Sequence, residues 1–382
     1  LEHFNASLLS SLRIINDYNG TMPFATWLKT YFKNHKKFGS KDRKRVADLC
    51  FCYFRLGHAL KQFSLEARIL AGQFLCHPNS SLVASVKPEW ETMMHASPEE
   101  KLAFLDTPAI QQLFPFPDRI SPQIDKQAFV LSFLQQPDMF LRLRPGKEKI
   151  VVDKLKDAAV PYLQEGACIR LASGTKADEI LRMDEEAVVQ DISSQQVLEP
   201  LRAHLTKKQF SAWDCCAASG GKTILLHDAY PKASLTVSDI RESIILNLRN
   251  RLKRAGITNY RSFVADVSSP PFSLSQQFDV ILCDAPCSGS GTWGRTPEQL
   301  VYFKREKIAH YASLQHSIAV NASRHLKKGG FFLYITCSVL VDENEEITER
   351  LSQTTALQLL SQQYFKGYDK RGDTLFAALF TV

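Results

Sequence analysis

The sequence contains no run of about 18 or more uncharged apolar residues, so nothing in it reads as a membrane span. Its opening stretch, LEHFNASLLSSLRIINDY, carries acids, lacks a basic segment followed by a long apolar core, and shows no small-residue cleavage site, which argues against a secretory leader. The nine cysteines are odd in number and follow no framework spacing; a reduced, cytoplasmic protein is the simplest expectation. Zinc motifs are also lacking. Cys50 and Cys52 flank a single residue of an apolar segment, Cys215 and Cys216 are adjacent, and Cys283 and Cys287 have no second pair behind them. Structural zinc takes two short-spaced ligand pairs, so no metal is expected. The dinucleotide fingerprint G-x-G-x-x-G is absent from the first strand-to-helix turn. The segment GGKT invites a phosphate-loop reading, but the glycine that opens such a loop is replaced by Cys216, which leaves the cradle incomplete.

What remains is a 382-residue chain, 45% apolar and 23% charged, with room for two or three domains. Residues 1–130 read as helical, with apolar residues at helical spacing in segments 8–18, 24–34, 42–60 and 62–76. Residues 29–45 hold eight lysines and arginines (Lys29, Lys33, Lys36, Lys37, Lys41, Arg43, Lys44, Arg45) against Asp42 alone. Such a run is either a solvated face or a phosphate-facing surface. Pro108, Pro115, Pro117, Pro122 and Pro137 then interrupt the periodicity. Residues 137–200 suggest a small α+β subdomain, with strands near 139, 167–171 and 187–191 around a helix at 147–158.

From 201 to 382 the pattern is strand and helix in alternation. The runs SAWDCC, ASLTVSD, YRSFVAD, FDVILCD, FFLYITC and TLFAALFTV read as strands, with helices at 221–229, 241–255, 298–328 and 343–359. Continuous apolar strands alternating with helices predict a doubly wound, Rossmann-like α/β sheet, whose ligands sit at the carboxyl ends of its strands. Asp214, Asp239 and Asp266 fall at or near the ends of three successive strands. The turn Cys216, Ala217, Ala218, Ser219, Gly220, Gly221, Lys222 follows the first. Glycines there let a ligand approach the backbone. Asp239 is placed to accept ribose hydroxyls, with Arg241 beside it, and Asp266 to meet an adenine amino group. Each acid alone reads equally as a cap or surface residue. Together they describe an adenosyl ligand without phosphates, S-adenosylmethionine.

Two thiols complete the pattern. Cys287, in DAPCSGSG, follows the fourth strand, and Cys337, in YITCSV, closes a later one. Either alone reads as a small buried hydrophobe. As a pair they suggest covalent chemistry: carbon 5 of cytosine is a poor nucleophile until a thiolate adds at carbon 6 and turns it into an enamine-like centre. Amine methylation is the enzymatic alternative.

These segments, together with VVQDISS, LQHSIAVNASRHLKKGG, DENEEI and GSKDRKRV, resemble the RsmB/Fmu/Sun-type RNA cytosine-5 methyltransferases over nearly the whole chain. The resemblance implies that Cys337 is the nucleophile, that Cys287 assists release, and that Asp284 holds the N3 edge of the base and reaches the cofactor. It also implies a NusB-like RNA-binding domain at 1–130, an RNA-recognition role for 137–200, and roles for Gln190, Asp191 and Ser194 in shaping the site. Ser219 stands where the family has a proline that stiffens the turn. The implied substrate is small-subunit (16S) ribosomal RNA, with transfer RNA, or an inactive assembly factor, as alternatives; the implied molecule is a monomer. Arg142, Arg144, Lys147 and Lys149, and the run Arg241, Arg249, Arg251, Lys253, Arg254 and Arg261, fit an RNA partner, as do a net charge of +7 and pI near 8.8. Trp293 either stacks on a base or fills a loop core. Cys215, Cys216 and Cys283 are expected to pack within the core.

Overall fold

The computed structural model describes all residues except 1, 37, 106–109 and 271, and not the side chains of 2–5, 110 and 111. Lys37 and Pro108 therefore lie outside the described residues. The chain forms two compact units: residues 1–136 with 292–305, and residues 137–291 with 306–382.

The first unit is helical. Its main helices are α1 (Glu2–Asp17), α2 (Phe24–Asn34), α3 (Ser40–Arg55) and α4 (Leu65–Cys76). The Ser64 side chain caps α4 by accepting from the Ala67 N–H, and Ser97 and Glu100 form a reciprocal capping box on a later helix. Phe24, Phe54, Phe74, Phe114, Phe129 and Phe133 are almost fully buried, so aromatic rings supply much of this core. Segment 292–305 joins it from the far end of the chain. Trp293, 1% exposed, packs on Phe114, Phe116 and Phe303, which makes it core rather than a base platform. The buried Glu298 accepts from the Phe24 N–H at 3.0 Å, and the Tyr302 hydroxyl donates to the Tyr18 carbonyl at 2.9 Å.

The second unit holds two sheets. β1 (Met139–Leu143), β2 (Tyr162–Glu165), β3 (Cys168–Leu171) and β4 (Ala187–Val189) form an antiparallel sheet in the order β2-β3-β1-β4. Leu141, Leu143, Ile169 and Leu171 bury one face of it against Val151 and Leu155 of the helix Glu148–Asp157. The larger sheet contains β5 (Ser211–Asp214), β6 (Ser234–Asp239), β7 (Tyr260–Val264), β8 (Phe278–Asp284), β9 (Leu326–Thr336), β10 (Gln358–Lys366) and β11 (Thr374–Thr381). Its order is β10-β11-β9-β8-β5-β6-β7, parallel from β7 to β9, with β11 antiparallel to both β9 and β10. This is a Rossmann-like sheet whose chain order reverses between β5 and β8, the place where such sheets bind ligands.

Three expectations change. The helix expected at 298–328 is two, Gln299–Tyr302 and Glu306–Ser323. The one expected at 343–359 ends at Thr354, and an unforeseen strand, β10, begins at Gln358. Arg142 and Arg144 do not face RNA: both are buried, and both pair with Asp228, at 2.5 and 2.9 Å. Arg251 and Arg254 likewise converge on the buried Asp184, at 2.6 and 2.7 Å.

Candidate active site

Because every strand from β5 to β8 points the same way, their terminal residues meet on one edge. A cavity of about 300 Å³ opens there, within the range of small-molecule sites. Of the residues predicted to hold the cofactor, Cys216, Ala218, Asp239, Arg241, Asp266 and Asp284 line it. Asp214, Ala217, Ser219, Gly220, Gly221 and Lys222 do not border it. Cys215, expected only in the core, joins Cys216 in the lining. The apolar walls, Ile240, Val267, Pro286, Leu314 and Ile318, were missed by sequence reasoning. Ile240 carried a usable signal, a large aliphatic residue directly after a strand-end acid that is left 58% exposed.

The polar groups fit an adenosyl ligand. Asp239 is almost buried and accepts from the Ala218 N–H at 3.1 Å and from the Arg241 N–H and Nε at 3.0 and 3.1 Å. Its carboxylate is thereby fixed at the cavity wall, with a fourth and longer bond from Arg241 Nη2 at 3.4 Å engaging the last of its acceptor positions. Hydrogen bonds from Ser268 and Ser269 hold the Asp266 carboxyl below the usual range, so it stays an acceptor. Beneath the cavity, burial pushes Asp214 up to about 7; the Thr223 hydroxyl donates to one carboxyl oxygen at 2.6 Å, and the other oxygen has no partner.

The turn after β5 carries backbone cost. Ala218 sits at φ 43° and Gly220 at φ 83°, both left-handed, which only the glycine adopts freely. Arg251 Nη1 donates to the Ser219 carbonyl at 3.1 Å and to its hydroxyl at 3.0 Å. This brace occupies the position where the family's proline stiffens the turn.

The two thiols meet. Cys287 Sγ lies 3.2 Å from Cys337 Sγ. Adjacent parallel strands bring them together, with Asp284 of β8 level with Ile335 of β9. The Gly291 N–H donates to the Cys337 carbonyl at 2.9 Å, and a Cβ on Gly291 would stand 2.0 Å from the Thr374 carbonyl oxygen, so only glycine passes there. Glu343, fully buried, ties the loop from below. It accepts from the Ser288 N–H at 2.8 Å, the Ser288 hydroxyl at 2.5 Å, Gln315 Nε2 at 3.1 Å and the Ser338 hydroxyl. Gln315 Nε2 also donates to the Pro286 carbonyl at 3.0 Å. The segment DENEEI had been recognised as a pattern, but nothing in it marked Glu343 as the anchor.

Charge at this centre is paired. Lys222 Nζ lies 2.7 Å from Asp284 Oδ2. Burial acts to lower the lysine pKa, but Asp284, Cys337 and Asp214 outweigh it, so the ammonium is retained. The hydrogen bond to Cys337, reinforced by burial, raises Cys287 well above an ordinary thiol. Gln190, Asp191 and Ser194 do not line the cavity: Gln190 accepts from Arg142 Nε at 2.7 Å and donates to the Ser194 hydroxyl at 3.2 Å, while Asp191 accepts from the Asp373 N–H at 3.0 Å.

A Rossmann-like sheet with strand-end acids around an apolar cavity, a glycine turn and no phosphate cradle defines the S-adenosylmethionine-dependent methyltransferase class. Within it, residues 202–374 match the family model described as 16S rRNA methyltransferase RsmB/F. The cofactor of this family is S-adenosylmethionine, which the cavity fits. A protein named ribosomal RNA small subunit methyltransferase B from Klebsiella pneumoniae is 34% identical over 316 residues, 78% of this chain and 64% of that one. Its namesake from Citrobacter koseri is 32% identical over 58% of this chain and 52% of its own. The chain thus spans about half to two thirds of the length of these relatives. The crystal structure of PH0851 shares the fold over 99% of this chain and 97% of its own, with a TM-score of 0.72 at 19% identity.

Proposed function

We propose that this protein methylates carbon 5 of a cytidine in RNA, small-subunit ribosomal RNA by the names of its relatives, through a covalent adduct at carbon 6. The observation that carries this reading is the 3.2 Å approach of Cys287 and Cys337 beside the Asp284–Lys222 pair. Bound S-adenosylmethionine supplies an electrophilic methyl group. Cys337 gives up its thiol proton and adds its sulfur to carbon 6, while Asp284, steadied by Lys222, passes a proton to N3, so that no net negative charge is left on the ring. The electron pair released to carbon 5 forms the bond to the methyl carbon as the sulfonium–methyl bond breaks, its pair staying on sulfur as a neutral thioether that leaves. Carbon 5 must then lose its proton before the carbon–sulfur bond breaks. Cys287 is suited to take that proton, because the main cause holding its own in place is the hydrogen bond to Cys337. Once Cys337 sulfur is bonded to carbon, that cause is gone, so Cys287 releases its own proton to solvent and, as thiolate, takes the one from carbon 5. The base must leave its stack for sulfur and methyl to reach the ring from opposite sides.

Cys337→Ala is expected to abolish both methylation and covalent trapping, whereas Cys287→Ala accumulates a protein–RNA adduct that survives a denaturing gel. An adduct that builds up in Cys337→Ala instead reverses the two roles. A methyl group located on nitrogen by mass spectrometry removes the covalent route altogether.

A further inference from the structure

Three metal-ligating side chains outside the catalytic unit, Asp48, Cys52 and His77, meet between α3 and α4, and Cys76 is next to them in the chain. Asp48 and Cys52 are one helical turn apart on α3, so they share a face. Cys76 and His77 end α4. His77 Nε2 lies 3.1 Å from both Asp48 oxygens and 3.5 Å from Cys52 Sγ, and Cys52 Sγ is 3.9 Å from Asp48 Oδ1. The three donor groups all fall within 4.8 Å of one another. Cys76, next to His77 in the chain, interacts electrostatically with Cys52.

We propose that Asp48, Cys52 and His77, with Cys76 as the adjacent fourth donor, bind a borderline-soft divalent cation of the zinc type that clamps α3 to α4. Ligands at about 2.0–2.3 Å around a tetrahedral zinc ion stand roughly 3.3–3.8 Å apart, close to the separations found here. An Asp–His ion pair beside a thiol is the simpler description, but one N–H cannot serve three acceptors at once, whereas one cation can. The surroundings are those of a ligand set. Gln73 Nε2, on the buried side, donates to Asp48 Oδ2 at 2.7 Å and to Cys52 Sγ at 3.2 Å, an outer contact that orients the carboxylate and favours the thiolate. Gly72 makes the approach possible: a Cβ there would stand 2.7 Å from the Cys52 carbonyl oxygen. Cys52 is buried while the Asp48 and His77 side chains are 49% and 37% exposed, so an ion has a way in. Two thiolates, one carboxylate and a divalent ion leave one negative charge. The buried Arg55, which interacts electrostatically with Cys52, Cys76 and Asp48, supplies the balancing positive charge. Each coordinating thiol releases its proton to solvent on binding.

No metal is expected from the sequence because Cys50 and Cys52 have no second short-spaced ligand pair behind them; it is the packing of α3 on α4 that brings His77 to Asp48 and Cys52. The test loads the full, reduced chain with Co²⁺ and with Zn²⁺, removes excess ion, and reads metal content together with thiolate-to-cobalt charge-transfer absorption. One equivalent with that absorption is expected. Cys52→Ser and His77→Gln should each lose most of the bound metal, and Gln73→Ala should weaken it about tenfold or more. His77→Gln, on the exposed rim, keeps the test open if Cys52→Ser fails to fold. Wild-type protein that retains no metal overturns the proposal. So does metal retained equally by both ligand variants, as would follow if the three thiols of Cys215, Cys216 and Cys283 held it.

Discussion

At the scale of single residues, burial rather than identity decides what an acid does here. Asp214, Asp239 and Asp266 look alike in the sequence, each at or near a strand end. Asp266 is surrounded by hydroxyl donors and stays charged, while Asp214 lies almost out of water with one oxygen unpartnered and its pKa raised to about 7. A carboxyl whose folded pKa lies above its unfolded value of 3.8 holds a proton that the unfolded chain has already lost. Its cost to stability is therefore absent below pH 3.8, grows as pH rises through the interval to about 7, and is complete above it. Asp214→Asn removes that cost while keeping an acceptor for Thr223. The variant should gain stability relative to wild type as pH rises from 5 to 8, by at most roughly 3 kcal/mol. Denaturant titrations at several pH values check it; a difference that stays constant with pH would mean that Asp214 is not protonated in the fold.

At the scale of elements, the turn after β5 shows how one substitution is absorbed by a distant side chain. With serine at position 219, the left-handed Ala218 and Gly220 are braced by Arg251 from the helix Glu242–Arg254. Ser219→Ala loses the hydroxyl bond, worth about 1 kcal/mol or roughly a fivefold weaker S-adenosylmethionine affinity. Ser219→Pro should restore it, and calorimetric titration distinguishes the two; a proline variant that binds worse than the alanine one would show that the turn has been rebuilt around Arg251. The elements themselves were legible where strands were apolar throughout: β5, β6, β8, β9 and β11 could be read because both faces are covered. Strand β10, QLLSQQYFK, is an edge strand without β-branched residues and with mostly exposed side chains, so its first two residues read as the tail of the preceding helix and the rest carried no strand signal. Strand β2 was lost for the same reason. In the site, the two thiols, Asp284 and the cavity acids were visible as motif positions. Glu343 and the apolar walls were not, because their role depends on which loop or helix folds over them.

At the scale of the whole molecule, net charge points to a polyanion but does not say which cations touch it. Arg142 and Arg144 sit in a basic cluster of the sequence, yet both are spent on the buried Asp228, a partner that no local pattern reveals. The run along α2 and α3 is different: Lys29, Lys33, Lys36, Lys41 and Lys44 are all exposed. Phosphate contacts release counterions, and each one lost should flatten the dependence of log affinity on log salt by about 0.7 to 0.9. Replacing those five lysines with glutamine should therefore weaken RNA binding at low salt and reduce that slope, while cofactor affinity is unchanged. Arg142→Gln should do the reverse. It leaves Asp228 with Arg144 alone in a buried pair, costing about 3–5 kcal/mol of stability, and leaves the salt slope of the folded protein as it was. Binding measured across a salt series for both variants separates the cations that hold RNA from those that hold the fold. A slope that falls for Arg142→Gln and not for the lysine variant would move the RNA-binding face from the helical unit to the catalytic one.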